Sequence, residues 1–184
     1  QKQFKEFTYD EMKENMDKRK EDTQEAEKQR EALRKAIAFK KYEFDAHGVE
    51  MNQRYKSDAI IDEGENEPIF EKDRELHYQP TTYPGARIPH VWVYDKKGQK
   101  HSTLDLCGQG NFSIFTGIGG INWVNAAKTI EQDLGIQIIC NVIGPDQDYE
   151  DHVGEWAEAR EINDSGMILV RPDQHVCWLS LIHI

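Results

Sequence analysis

Few residues of this chain stand at spacings that could do chemistry, and each has a plainer competing use. Gly117-Ile118-Gly119-Gly120 lies between an apolar run and an amphipathic segment. A phosphate-cradling glycine loop takes that place in dinucleotide-binding folds, with backbone N–H groups and a helix N-terminus aimed at the pyrophosphate. Here the spacing is G-x-G-G, Asn122 stands where the third glycine belongs, and no acidic residue closes the following strand. The stretch therefore reads as a tight strand-to-helix turn that needs glycine's backbone freedom.

Of the seven histidines, His90, His101 and His175 could meet in space with Cys107 or Cys177 around a metal ion. No C-x-x-C stands in the chain, and no H-x-x-x-H stands on one helix face. Surface or strand-edge histidines are expected instead. The three cysteines, Cys107, Cys140 and Cys177, lack the spacing for disulfide exchange and read as buried reduced thiols. Ser102 and Asp105 with a histidine have the residue types of a hydrolytic triad, but nothing like G-x-S-x-G surrounds the serine. Asp105 is expected to bond backbone or Arg87, and Arg171 to pair with Asp173 or Asp105. No catalytic, cofactor-binding or metal-ligating residue is assigned.

The elements that would position these residues follow from periodicity. The apolar runs 112–116 and 136–143 flank an amphipathic segment, which predicts a βαβ unit with a right-handed crossover. Trp123, Ala126, Ala127, Ile130 and Leu134 recur at helical spacing and predict the stripe that packs on the sheet. Asn122 reads as its N-cap and Gly135 as its C-cap. Residues 167–170 and 175–178 lie either side of Pro172-Asp173 and predict a β-hairpin. In that hairpin Val176 and Trp178 are expected on one face, with Cys177 on the other. A further strand is expected at 91–94, a turn at 96–98 and a partner strand at 102–106. Residues 146–163 read as a loop with a short helix.

Upstream, 8–42 reads as one long charged helix. Thr8 and Glu11 form a capping box, and Leu33, Ala36, Ile37 and Lys40 share a face. Gly48 is expected to cap the helical pattern and 49–61 to be extended. Residues 62–75 are acidic and carry Gly64 and Pro68, which reads as a linker; Pro80, Pro84 and Pro89 keep the following chain out of helix.

The chain has 184 residues and a formal net charge of −11, with Lys and Arg interspersed among Asp and Glu. That disfavours a nucleic-acid partner, which needs a basic face. No window approaches the ~18 apolar residues of a membrane span, and the first residues, QKQFKEFTYDE, lack the apolar core of a signal peptide. A cytoplasmic location is expected.

Five motifs in order then identify a family. YPGARIPHVWV (83–93), STLDLCG (102–108), FSIFTG (112–117), WVNAA (123–127) and GMILVRPDQHVCW (166–178) resemble the C-terminal domain of FAD-dependent aromatic hydroxylases, the phenol and dichlorophenol monooxygenases in particular. Residues 30–55 resemble the last helix and following segment of the same family's flavin- and substrate-binding part. The resemblance implies an α/β fold: a thioredoxin-like domain, βαβ plus β-hairpin without the redox C-x-x-C, preceded by a long helix. It implies residues 1–61 as the end of the flavin and substrate domain, 62–82 as a linker and 83–178 as the C-terminal domain. It also implies a parent enzyme in which NAD(P)H reduces FAD and O2 supplies the oxygen placed on a phenolic ring. The family's glycine-loop, Asp-Gly and Gly-Asp motifs would lie before Gln1, so the chain is expected to be a fragment that binds no FAD. Its own role would be structural, against the missing flavin domain and in a possible homodimer; the rival reading is a stand-alone interaction module. LSLIHI (179–184) departs from the family pattern, resembles a translated sequencing adapter, and is expected to be a non-native tail outside the fold.

Overall fold

The computed structural model describes residues 8–61, 63–64 and 66–180. The chain divides into two compact units, Gln1–Ala46 and His47–Ile184.

The first unit holds α1 (Tyr9–Lys18), α2 (Gln24–Phe39) and the short α3 (Lys41–Phe44). The Thr8–Glu11 capping box is present at the start of α1. The single helix expected over 8–42 is broken between α1 and α2. Thr23 takes an extended backbone and its hydroxyl accepts the Ala26 N–H at 3.2 Å, capping a new helix. Arg30 Nη1 reaches back to the carbonyls of Arg19 (2.7 Å) and Glu21 (2.9 Å), which α1's end leaves without helical partners. Local polar groups thus complete both helix ends. Leu33 and Ile37 of the expected face remain exposed within this unit.

The second unit opens with α4 (His47–Met51). Gly48 lies inside this helix and caps nothing. It is glycine because a Cβ would sit 2.0 Å from the Arg74 carbonyl oxygen, where the two backbones touch. Residues after Met51 are held by the Asn52 amide, which donates to Arg74 O (2.9 Å) and His77 O (2.7 Å) and accepts from Gln79 N (2.9 Å). These bonds hold residues 74–79, part of the stretch expected as a linker, against the end of α4.

Two sheets follow. β1 (Trp92–Asp95) lies between β2 (Lys100–Ser102) and β5 (Tyr149–Glu150), both antiparallel to it. The partner strand lies earlier than the expected 102–106 and shares only Ser102 with it, because the chain turns after Ser102: its carbonyl accepts the Asp105 N–H at 2.9 Å. The larger sheet has the order β4-β3-β6-β7, built from β3 (Phe112–Thr116), β4 (Ile138–Val142), β6 (Met167–Val170) and β7 (Val176–Ser180). β3 and β4 are parallel and joined through α5 (Ile121–Leu134), the predicted βαβ unit. β6 runs antiparallel to β3 and pairs with β7 as the predicted hairpin.

The larger sheet is buried on both faces. On one side Ile114 and Met167 meet Trp123 and Ala127 of α5. On the other, Phe115, Ile168, Val170, Val176 and Leu179 meet Val93 of β1 and Trp156 of α6 (Glu155–Ala159). Only the first half of α5 buries apolar side chains: Trp123 and Ala127 are buried, whereas Ala126, Ile130 and Leu134 are exposed. The helix also starts at Gly120, so Asn122 is a helical residue and not its cap. Gly135 does cap it, left-handed at φ 66°, with its N–H on Glu131 O.

The hairpin differs from expectation in two ways. Val170 opposes Val176 and Leu169 opposes Trp178, so Cys177 is an extra residue at a β-bulge. The bulge reverses the alternation: Val176 joins the core under α6, while Trp178 joins the α5 side and meets Trp123 edge to face at 5.6 Å. Nor does the strand end at Trp178. Leu179 opposes Ile168, Ser180 opposes Met167, and both are 5% exposed. Leu179 and Ser180 are thus part of the fold; residues 181–184 of the expected tail lie outside the described residues.

Candidate functional site

The glycine turn sits at the carboxyl ends of the parallel strands β3 and β4, where open α/β sheets hold their ligands. Its geometry is that of a packed turn. The Gly119 N–H donates to Asp164 O at 2.9 Å and the Gly120 N–H to Gly117 O at 3.1 Å. A Cβ on Gly117 would stand 2.6 Å from Asp164 O, and one on Gly120 would fall 1.8 Å from Thr116 Oγ1. The glycines bring the turn against residues 164–165 and use amides that a phosphate would need. These residues do not fit a dinucleotide pyrophosphate.

Ser102 and His90 do meet. The hydroxyl and Nδ1 share a hydrogen bond of 2.7 Å, and Asp105 Oδ2 accepts the Ser102 N–H at 3.2 Å. A hydrolytic triad needs the carboxylate on the histidine's other nitrogen, turning the ring and holding its tautomer. Asp105 is spent on backbone, as expected, and the Ser102 hydroxyl also accepts the Leu104 N–H at 3.1 Å. The group closes the turn after β2.

The three histidines considered for a metal stand apart in their bonding. His101 Nε2 lies 3.2 Å from Asp95 Oδ2, and His175 bonds Asp173 O at 3.1 Å with its ring edge on Tyr55. Among the described residues no group of three or more His, Cys, Asp or Glu is placed to hold a metal ion. Asp95 accepts the N–H groups of Gln99 and Lys97, and the first of these chiefly holds its carboxyl below the usual range. Arg171 pairs with Asp173 at 2.7 Å, as expected, while Arg87 bonds Gln174 Oε1 at 2.5 Å and not Asp105.

Cys107 and Cys177 are buried and Cys140 is half-buried. Burial pushes the Cys107 thiol up to about 12 and the Cys177 thiol up to about 11, and raises Cys140 as well. Thiolate is the reactive form, so the two buried thiols are protonated at neutral pH. Brief iodoacetamide treatment of the folded chain at pH 8 is expected to modify Cys140 first. Cys107 and Cys177 should react only on unfolding or at much higher pH. Mass spectrometry of the digest checks this, and equal rates at the three sites would contradict it.

Some key residues carry no sequence signal. Glu161, at φ 52°, receives the Thr81 hydroxyl (2.7 Å), the Thr82 N–H (2.7 Å) and the Thr82 hydroxyl (2.9 Å), 79 and 80 residues away. Gln174, at φ 69°, accepts from Arg87 and donates to Leu104 O at 2.8 Å, tying the hairpin turn to the strand-to-turn segments before β1 and after β2. Two clefts flank α6. One of about 340 Å3 includes Asp146, Glu150 and Arg160, and one of about 500 Å3 includes His90, Trp92 and Glu158. In the first, Glu150 is engaged by the Asp146 N–H and His152, Asp151 by the Gly154 and Ala157 N–H groups, and Arg160 by Asp164. Neither cleft shows a nucleophile, a base and oxyanion donors converging on one point.

No helix among the described residues is long and apolar enough to cross a membrane.

Comparison with known proteins places this geometry. The family model for the C-terminal domain of aromatic-ring hydroxylases matches residues 81–181. The chain is 53% identical over 170 residues to 2,4-dichlorophenol 6-monooxygenase of Cupriavidus pinatubonensis, covering 92% of this chain and 28% of that protein. It is 44% identical over 171 residues to phenol 2-monooxygenase of a Pseudomonas species, covering 93% of this chain and again 28% of the relative. Among solved structures, the flavin-dependent monooxygenase PieE in complex with FAD and substrate superposes with a TM-score of 0.86 at 42% identity, over 95% of this chain and 30% of PieE. The chain thus spans a little over a quarter of the length of these relatives.

Proposed function

Because this chain belongs to the aromatic-ring hydroxylase family, as its C-terminal domain, we propose that it is one part of a flavin monooxygenase that hydroxylates phenols with NAD(P)H and O2. The observation that carries this reading is the match of 92% of the chain to 28% of a 53%-identical dichlorophenol monooxygenase, together with the match of residues 81–181 to the C-terminal domain of aromatic-ring hydroxylases. On this reading residues 1–61 close the flavin and substrate part, 62–82 connect, and the C-terminal domain begins near Tyr83. The larger sheet supports a thioredoxin-like assignment. Numbered within the sheet alone, its strands run 2-1-3-4, the first two parallel and joined by a helix, the last two a hairpin. At the strand-to-helix turn, where a thioredoxin carries its cysteines, this chain has Gly117–Gly120.

The role proposed for the chain itself is structural: covering the flavin domain and contributing to a contact between subunits. No residue here is given a part in the chemistry, and phenol, FAD and NAD(P)H are taken to bind elsewhere in the parent enzyme. The packed glycine turn supports this, since its Gly119 and Gly120 amides are already engaged. After desalting, the purified chain is expected to carry no flavin absorbance, and adding FAD should leave flavin fluorescence unchanged. A yellow protein would overturn this and return the 117–120 turn to consideration as a phosphate site. The parent activity is tested separately, by expressing the gene's full reading frame and measuring phenol-dependent NAD(P)H oxidation. A colourless full-length product without that activity would remove the monooxygenase reading.

A further inference from the structure

The first unit has almost no core of its own. Among its described residues only Ala26 is buried, and every residue from 31 to 45 is exposed. α2 is 16 residues long. A helix of about that length is marginal in water by itself, and in folded proteins its stability comes chiefly from packing an amphipathic face. Such a face is present, and nothing among the described residues covers it. Leu33, Ile37 and Phe44 stand at i, i+4 and i+11, and Lys40 between them keeps a helical backbone at φ −68° and ψ −14°. That spacing sets the three on one line along α2 and α3. Leu33 is 41%, Ile37 60% and Phe44 77% exposed. α1 repeats the pattern with Tyr9, Met12 and Met16 at i, i+3 and i+7, all exposed. Contiguous exposed apolar surface of this kind marks an interaction site.

The charges along the stripe select what fits it. Lys35 pairs with Glu31 at 2.8 Å and Lys40 with Glu43, whereas Arg34 and Lys41 form no ion pair among the described residues. Arg34 and Lys41, seven residues apart, line one border of the stripe. A fitting surface is therefore an apolar groove with carboxylates along one rim. A second copy laid antiparallel on the stripe would set the Arg34–Lys41 border against itself, like charge on like. The length of the relatives points to another occupant. PieE matches 95% of this chain, so it has a counterpart for the first unit as well, yet the match takes up only 30% of PieE.

Resting on the reading of this chain as part of a flavin monooxygenase, we propose that the stripe of Leu33, Ile37 and Phe44 is the docking surface for the rest of the parent polypeptide, the part assigned above to FAD and phenol, which closes on it with an apolar groove bordered by carboxylates. Amide hydrogen exchange of the chain alone and of the product of the full reading frame tests this. In the chain alone the amides of 31–45 should exchange close to the rate of an unstructured peptide, while β3 and β6 stay protected. In the full-length protein the same amides should slow by about a hundredfold or more. There Ile37→Ala should remove about tenfold or more of that protection. Lys35→Gln, on the opposite side of α2, should change it by less than about twofold. Protection of 31–45 already present in the chain alone would overturn the proposal: independent of concentration, it would give the stripe to this chain itself, and rising with concentration, to a second copy. Unprotected 31–45 in the full-length protein, or equal effects of the two substitutions, would overturn it as well. The two readings fail separately. A full-length protein that holds FAD and oxidises NAD(P)H with phenol but leaves 31–45 open refutes only the docking. A colourless, inactive one that protects 31–45 refutes only the monooxygenase reading.

Discussion

Gly85→Ala is expected to destabilise the second unit by ~2–6 kcal/mol, the upper end enough to unfold a marginal domain. Gly85 is left-handed at φ 94°, and an added Cβ would lie 2.2 Å from Tyr55 O and 3.1 Å from Tyr55 N. Both of its backbone groups are in use: its N–H donates to Val176 O at 2.7 Å and its carbonyl accepts the Tyr55 N–H at 3.0 Å. The turn cannot move away without parting residues 54–55 from the start of β7. Left-handed strain costs ~1–3 kcal/mol for a non-glycine residue, and an overpacked contact against backbone ~1–3 more. Gly98→Ala is the matched control. That glycine is also left-handed, φ 76°, with nothing within 4 Å of the added carbon, so only the conformational part, ~1–2 kcal/mol, applies. Urea denaturation of both variants isolates the contact. Equal losses would mean that residues 54–55 do not pack on Gly85.

Leu179→Ala is expected to cost ~2–5 kcal/mol, as for other leucines removed from a packed core. Leu179 is 5% exposed and lies opposite Ile168, which is fully buried in the core under α6. Deleting residues 179–184 should cost more, because the Ile168–Leu179 and Met167–Ser180 pairings go with the side chain. Trp178→Ala removes a larger side chain but a less buried one, and its indole N–H has no hydrogen-bond partner among the described residues. Its loss should therefore fall below the ~3–5 kcal/mol of a fully buried tryptophan such as Trp156, which is 1% exposed. Thermal melts of the variants and of the truncation decide the matter. An unchanged melting temperature after the deletion would put the end of the domain at Trp178.

What the amino-acid sequence determined by itself is local. The Thr8–Glu11 box, the β3–α5–β4 order, the turn at Pro172-Asp173 and the left-handed Gly135 are each set by residues within a few positions of one another. Hydrophobic period and cap chemistry act over that range, so they can be read without a fold. The motif order was legible as a family for a related reason. YPGA contains Gly85, where backbone meets backbone, and such positions admit few residues.

What only the tertiary structure decided depends on partners far along the chain. Alternation put Val176 and Trp178 on one face, but the pairing with β6 inserts a bulge at Cys177 and separates them. Helical period counted Ile130 and Leu134 as core, yet a helix buries only as far as there is sheet beneath it, and α5 outruns its sheet. Thr23 and Arg30 divide one long helical pattern in two, because helix ends that find polar partners are stable wherever they fall. Glu161 looks like any charged surface residue in the sequence. Its role comes from Thr81 and Thr82, brought up by chain closure that no local pattern records.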